Sequence, residues 1–61
     1  MYFQLYTDKA GEWRWRLKAG NHEIIATSSE SYKAKQSALH AIDLVKGSAG
    51  AEVKELPPDE A

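Results

Sequence analysis

The chain has 61 residues, no cysteine and a formal net charge of −1 at pH 7. This length allows a single domain, and so short a chain buries only about 60% of the surface that it exposes when unfolded. Because neither a disulfide nor a metal-ligand spacing supports the small core, we expect a second copy of the chain to stabilise it. The net charge argues against strong non-specific binding to nucleic acid.

Residues 2–7 alternate in character and predict a first β-strand, with Phe3 and Leu5 on its apolar face. This segment has neither the basic region nor the long apolar core of a signal peptide. No apolar run in the chain approaches the roughly 18 residues of a membrane span. We therefore expect a cytoplasmic protein that makes no contact with a membrane.

Residues 13–18 alternate large apolar side chains with cations, which predicts a second strand with one buried and one polar face. The predicted buried face carries Trp13, Trp15 and Leu17. The predicted polar face carries Arg14, Arg16 and Lys18. This pattern is informative about the fold and says little about function.

Two registers compete for the hairpin between these strands. A four-residue loop would set Gln4 opposite Trp15, whereas a loop of residues 9–11 sets Leu5 opposite Trp15. We favour the second register because it matches apolar with apolar side chains, and because it places Gly11 where a type I turn with a bulge requires a positive φ. The pairs on the polar face are then Tyr6 with Arg14, Gln4 with Arg16 and Tyr2 with Lys18.

A third strand is predicted over about residues 23–28. The turn before it is either Gly20-Asn21 or Asn21-His22. Both alternatives place Ile24 and Ala26 on the predicted buried face, because side chains alternate along a strand.

A polar connection leads to a helix predicted over about residues 34–46, where apolar residues recur at helical spacing before Gly47. Its apolar stripe consists of Ala38, Ala41, Ile42 and Val45. Residues 51–56 alternate weakly and predict a short final strand. The apolar residues of that strand, which we expect to mediate dimer formation, are Ala51, Val53 and Leu56. Two prolines end the strand, and residues 57–61 are predicted to be a disordered acidic tail.

The polar face of the first hairpin is the main candidate for binding. In the predicted register it is shared by Tyr2, Tyr6, Arg14, Arg16 and Lys18. Aromatic rings interleaved with cations hold single-stranded nucleic acid in many sheets, because the rings stack on bases and the cations meet phosphates. The alternative is a solvated face on which arginine stems lie over tyrosine rings. We favour the solvated face because the net charge is −1 and the tail is acidic.

Other residues give weaker indications of chemistry. His22 has no second ligand at the i+3 or i+4 spacing of a metal site. Ser28–Ser31 carries hydroxyls and a carboxylate, but nucleophilic catalysis also needs a positioned base. Lys33 and Lys35 flank the start of the helix, where a phosphate could bind, although no glycine-rich loop is present. We expect no enzyme activity, no metal and no cofactor.

A set of motifs spread over roughly residues 3–50 carries a resemblance to a known family. They are Trp13–Ala19, Asn21, Glu23–Ala26, Ser28–Tyr32, Lys35, Ala38, Ile42 and Val45-Lys46. In these motifs the chain resembles the YegP-like family of small uncharacterised bacterial proteins. The resemblance implies a β-β-β-α-β unit that occurs singly or in tandem, in which two units share one sheet and exchange their C-terminal strands. It implies no catalytic residue, because the family has no established activity.

Three positions depart from the family pattern. His22 stands where the family usually has glycine, which favours Gly20-Asn21 as the loop. Ala34 stands where a serine often caps the helix, a change worth about 1 kcal/mol, and Ser31 is the alternative cap. His40-Ala41 replaces Asn-Gly and strengthens the helix.

We predict one α+β domain over residues 1–56, an antiparallel sheet with one packed helix in the order β-β-β-α-β. Two copies are expected to form a homodimer, with the final strand either exchanged between copies or folded back. The predicted core consists of Phe3, Leu5, Trp15, Leu17, Ile24, Ala38, Ile42 and Val45. We expect a structural or interaction module, with weak binding of single-stranded nucleic acid as the alternative function.

Overall fold

Three strands and one helix form the folded body of the protein in a computed structural model that describes residues 1–60. The elements are β1 (Tyr2–Thr7), β2 (Trp13–Lys18), β3 (Ile24–Thr27) and α1 (Lys35–Lys46). β2 lies between β1 and β3 in an antiparallel sheet. Short 3-10 helices follow at Gly47–Gly50 and Pro58–Glu60. The predicted α+β class is confirmed.

The first hairpin has the register that matches apolar with apolar residues. Leu5 lies opposite Trp15. The amide of Gly11 donates to the carbonyl of Asp8 at 2.9 Å, and Gly11 has a φ of 80°. Glycine adopts this left-handed conformation without strain because it lacks a Cβ. The predicted three-residue loop and its register are confirmed.

The second hairpin is closed by two backbone hydrogen bonds in the same pattern as those of the first hairpin. The amide of Ala19 donates to the carbonyl of Glu23 at 2.8 Å, and the amide of His22 donates to the carbonyl of Ala19 at 3.0 Å. The loop therefore has three residues, 20–22, and both predicted two-residue loops are wrong. A type I turn in a hairpin requires a left-handed residue after it. His22, with a φ of 67°, takes that position.

The three-residue loop and a register shift between Leu17 and Lys18 together set the positions of the β3 side chains. Ala26 lies opposite Leu17 on the buried face as predicted, but Ile24 lies opposite Lys18. Ile25 is the extra residue of the bulge, and a bulge interrupts the alternation of side chains along a strand. Ile24 and Ile25 are 53% and 52% exposed, so the prediction that Ile24 belongs to the core is wrong.

α1 begins without a side-chain cap. Its N-cap residue, Ala34, is extended, with φ −110° and ψ 137°, and no side chain bonds to the first amides of the helix. Ser31, the alternative cap, instead donates its hydroxyl to a carboxylate oxygen of Glu12 at 2.5 Å. Gly47 follows the last helical residue as predicted.

The core is small and lies between α1 and the apolar face of the sheet. Its buried apolar residues are Trp15, Ala38 and Ile42. The half-buried residues packed around them are Phe3, Leu5, Trp13, Ala26, Tyr32, Ala41 and Val45. Leu17, opposite Phe3, is also half-buried. Every predicted core residue apart from Ile24 is therefore buried or half-buried.

The final strand predicted over residues 51–56 does not form within the single chain. Residues 51–57 have no regular secondary structure, and Val53 and Leu56 are 94% and 55% exposed. A strand needs hydrogen bonds from a neighbouring strand, and the sheet of this chain stops at β1 and β3. The radius of gyration is accordingly 13.7 Å, against about 10.5 Å for a compact chain of this length.

The acidic C-terminal tail contains a short element of secondary structure. Residues 58–60 form an exposed 3-10 helix after Pro57. Ala61, the last residue of the predicted tail, lies outside the described residues.

Candidate functional site

The side of the sheet turned away from α1 carries the residues predicted to bind a partner. We call it the outer face, and it consists of Tyr2, Tyr6, Arg14, Arg16 and Lys18. In the register of β1 and β2, Tyr2 lies opposite Lys18 and Tyr6 lies opposite Arg14. Strand alternation turns these side chains away from the helix. The five residues predicted to share a face therefore do so.

Arg14 is held at one end of the outer face by an ion pair with Asp8. Its Nε donates to Oδ2 of Asp8 at 2.9 Å. The other carboxylate oxygen of Asp8 accepts the amides of Ala10 and Glu12 at 2.9 and 3.0 Å. The hydrogen bond from Arg14, followed by that from the amide of Glu12, lowers the pKa of Asp8 below its ordinary value. The same hydrogen bond raises the pKa of Arg14, whose charge is thus compensated.

Arg16 lies at the centre of the outer face and is held by neutral partners. Its Nε donates to Oε1 of Gln4 at 2.7 Å. Its guanidinium carbon lies 5.1 Å from the centre of the Tyr6 ring, which is a cation–π distance. Among residues 1–60, the one ion pair is that of Arg14 with Asp8. The charge of Arg16 is therefore positioned by its neighbours but not neutralised.

The other end of the outer face combines a cation with aromatic and apolar side chains. Lys18 lies between Tyr2 on β1 and Ile24 on β3. The hydroxyl of Tyr2 is hydrogen-bonded to Nδ1 of His22 at 2.7 Å. The two rings meet edge to face, with 5.9 Å between their centroids. This contact joins the first strand to the second turn across the end of the sheet.

The groups considered for catalysis lie at opposite ends of β2. Ser31 bonds to Glu12 beside the start of β2, where Tyr32 pairs with Trp13. His22 lies in the turn that follows the end of the same strand. The structure therefore separates the hydroxyls of the polar connection from this imidazole.

The described structure carries no metal cluster, pocket or membrane-spanning helix in addition to the outer face. No group of three or more His, Asp or Glu side chains within residues 1–60 is placed to hold a metal ion. No pocket is found in this part of the chain. No helix in the same range is long and apolar enough to cross a membrane.

Two contacts of the outer face were missed by sequence reasoning. Asp8 is a residue type favoured at the first position of a type I turn, because its carboxylate accepts nearby amides. That preference is a signal that could have identified its role. The contact between Tyr2 and His22 joins residues 20 positions apart and has no local sequence signal.

Comparison with known proteins places the chain among proteins without a described function. Residues 8–55 match a family described as a domain of unknown function, DUF1508. A UPF0339 protein of Neisseria meningitidis serogroup B is 56% identical over 57 residues, which are 92% of this chain and 100% of that protein.

Two other similar proteins differ in how much of their own length the match covers. A UPF0339 protein of Stutzerimonas stutzeri, from the 5′ region of the ptx operon, is 49% identical over 47 residues, which are 77% of this chain but 41% of that protein. The solution structure of a protein from Haloferax volcanii has a TM-score of 0.77 and 41% identity, and the match covers 90% of this chain and 93% of that one.

Proposed function

The chain belongs to the DUF1508 family, whose function is unknown, and we propose that it is a homodimeric interaction module without catalytic activity. Membership of this family, together with the UPF0339 relatives, confirms the YegP-like resemblance seen in the sequence. In the proposed dimer, each copy contributes residues 51–56 to the sheet of the other. A location in the cytoplasm, expected from the sequence, is part of the same proposal.

The exposure of the C-terminal segment, residues 51–57, is the observation that carries this proposal. Val53 and Leu56 are 94% and 55% exposed, and the segment projects from the body without regular structure. Burying one such side chain stabilises a protein by about 1.5–3 kcal/mol. A body with three buried apolar residues gains much from covering these side chains with a partner.

The sheet has edges that can accept a strand. β1 and β3 each pair on one side only, and an unpaired edge is a template for another chain. β3 also carries Ile24 and Ile25, both more than half exposed. The unpaired edge at β3 and the C-terminal segment therefore both expose apolar side chains that a second copy could cover.

The length of one relative supports an assembly of two units. The match to the protein of Stutzerimonas stutzeri takes 77% of this chain and 41% of that protein. That protein is therefore nearly twice as long as this chain and has room for a second unit. Two copies of the single-unit chain would reproduce this arrangement.

Sedimentation equilibrium from nanomolar to micromolar concentration tests the dimer. We expect the wild type to dimerise, and the Val53→Asp/Leu56→Asp variant to stay monomeric because it places charge in the strand interface. The matched control is Leu44→Asp, since Leu44 is also exposed but lies on α1. A wild type that is monomeric throughout would refute the proposal, as would a double variant that dimerises like the control.

A second candidate function is the binding of single-stranded nucleic acid by the outer face. The observation that favours it is the uncompensated Arg16, held 5.1 Å from the ring of Tyr6 and followed along the face by Lys18. A cation beside an aromatic ring suits a phosphate next to a base. Arg14 contributes less, because Asp8 already compensates its charge.

Titration of labelled single-stranded DNA and RNA at low and moderate salt tests this candidate. This candidate function predicts micromolar binding that weakens with salt, because counterions are released when cations meet phosphates. Arg16→Ala/Lys18→Ala should abolish it, whereas Lys33→Ala/Lys46→Ala removes the same charge elsewhere and should not. Absence of binding at low salt would eliminate this function, and equal loss in both variants would exclude the outer face as its site.

A further inference from the structure

We infer that the acidic C-terminal region of one copy docks on the outer face of the other copy, so that ionic contacts reinforce the exchanged strand. The acidic region consists of residues 52–60 and its carboxylates are Glu52, Glu55, Asp59 and Glu60. This inference rests on the proposed dimer and names the surface that the partner's segment meets. The occupant is a second copy of this chain.

The acidic region has an excess of negative charge that its own chain leaves uncompensated. Lys54 is its one cation against four carboxylates, and all of its residues are exposed. None of these carboxylates forms an ion pair within residues 1–60. The region therefore presents a net negative charge to its surroundings.

The outer face has the opposite excess. Of its three cations, Arg14 is compensated by Asp8, while Arg16 and Lys18 have no acidic partner among the described residues. Arg16 is fixed by Gln4 and Tyr6, so little side-chain freedom is lost when a carboxylate meets it. Cations held in place by neutral groups are suited to bind carboxylates from another chain.

The outer face near Lys18 and the acidic region also both carry apolar side chains. Lys18 is flanked by Tyr2 and Ile24, and Ile24 is 53% exposed. The acidic region carries Val53 and Leu56 between its carboxylates. Both surfaces thus mix charged with apolar groups, which a nucleic acid backbone would match less well.

Geometry favours the outer face of a partner over that of the same chain. The C-terminal region follows α1 through the 3-10 helix Gly47–Gly50, and α1 covers the opposite face of the sheet. To reach its own outer face, the region would have to turn back around a sheet edge. A segment that pairs along the edge of a partner lies beside that partner's outer face. Two-fold symmetry then forms the contact twice in each dimer.

Charge reversal with rescue tests the inference, with the dissociation constant of the dimer measured by sedimentation equilibrium. Lys18→Glu and Glu55→Lys are each expected to weaken the dimer about tenfold at low salt, because each introduces repulsion at two symmetric contacts. Combining the two substitutions is expected to restore the dissociation constant to within about threefold of the wild type. The wild-type constant should itself rise between about 20 mM and about 500 mM NaCl.

Matched controls change the same charge at exposed positions outside both surfaces. They are Lys33→Glu for the face and Glu30→Lys for the acidic region, and neither is expected to change the constant by more than about twofold. The acidic-region variant lies outside the core, so its effect is not confounded by misfolding.

The outcomes separate this inference from the proposal on which it rests. The inference would be overturned if the dissociation constant of the dimer did not change with salt and the charge reversals behaved like the controls. Strand exchange would remain possible in that case. A wild type that never dimerises would overturn both. Reversals on the outer face that abolish oligonucleotide binding but spare the dimer would assign the face to nucleic acid and overturn the inference.

Discussion

At the scale of single residues, His22 is strained by the turn that it occupies. Its φ of 67° lies in the left-handed region, which costs a non-glycine residue about 1 kcal/mol. We expect His22→Gly to raise the free energy of unfolding by about 1 kcal/mol in urea titrations. Tyr2→Phe removes only the exposed hydrogen bond to His22 and is the control, with an expected change below about 0.5 kcal/mol. If His22→Gly were no more stable than the wild type, the proposed backbone strain at His22 would be contradicted.

A second residue-scale prediction concerns acid. The pKa of Asp8 is lowered in the folded protein, chiefly by its hydrogen bond with Arg14. The carboxylate therefore stabilises the fold above the pKa of the unfolded state, about 3.9, and this contribution is lost as the pH falls through the folded pKa. We expect Asp8→Asn to be less stable than the wild type near pH 7, and this difference to shrink as the pH falls below about 3.9.

Urea unfolding measured across that pH range tests the role of Asp8. Arg14→Gln removes the other half of the ion pair. Like Asp8→Asn, it should make the free energy of unfolding depend less on pH in this range. Should the gap between wild type and Asp8→Asn stay constant with pH, the ion pair does not stabilise the fold.

At the scale of elements, the missing cap of α1 can be supplied. Ala34 is already extended at the N-cap position and only lacks a side-chain acceptor. Ala34→Ser is expected to raise the free energy of unfolding by about 1 kcal/mol, because its hydroxyl accepts one of the free amides of the first turn. Ala49→Ser makes the same change in the 3-10 helix that follows α1 and is expected to have almost no effect. Equal effects of the two substitutions in thermal unfolding would show that capping is not the cause.

Also at this scale, the first hairpin was predicted in full whereas the third strand was predicted only in part. Alternation in residues 13–18 and the glycine of the loop are local signals, and together they specify one register. The three-residue loop, with His22 in a left-handed conformation that sequence rules assign to glycine, sets Ile24 opposite Lys18. The bulge at Ile25 then returns Ala26 to a position opposite Leu17. A change of one residue in loop length moves every following side chain to the other face of the strand. The missed third residue of this loop therefore misplaced Ile24.

At the scale of the whole molecule, stability depends on very few buried side chains. Ile42 is one of three buried apolar residues, and truncation of a buried isoleucine costs about 2–5 kcal/mol. We expect Ile42→Ala to leave most of the protein unfolded at room temperature, as measured by circular dichroism. Leu44→Ala, on the exposed side of the same helix, should cost less than about 0.5 kcal/mol. Similar losses from both would place the stabilising contacts outside this core.

The amino-acid sequence by itself determined the class of fold, the first hairpin with its outer face, and the buried stripe of the helix. These features depend on residues close together in the chain, whose spacing matches the period of a strand or a helix. The tertiary structure alone decided the pairing of Arg14 with Asp8, the exposure of Ile24 and the absence of regular structure in residues 51–57. Contacts between distant residues, and the presence of an unpaired edge, depend on how whole elements meet, which local periodicity does not record.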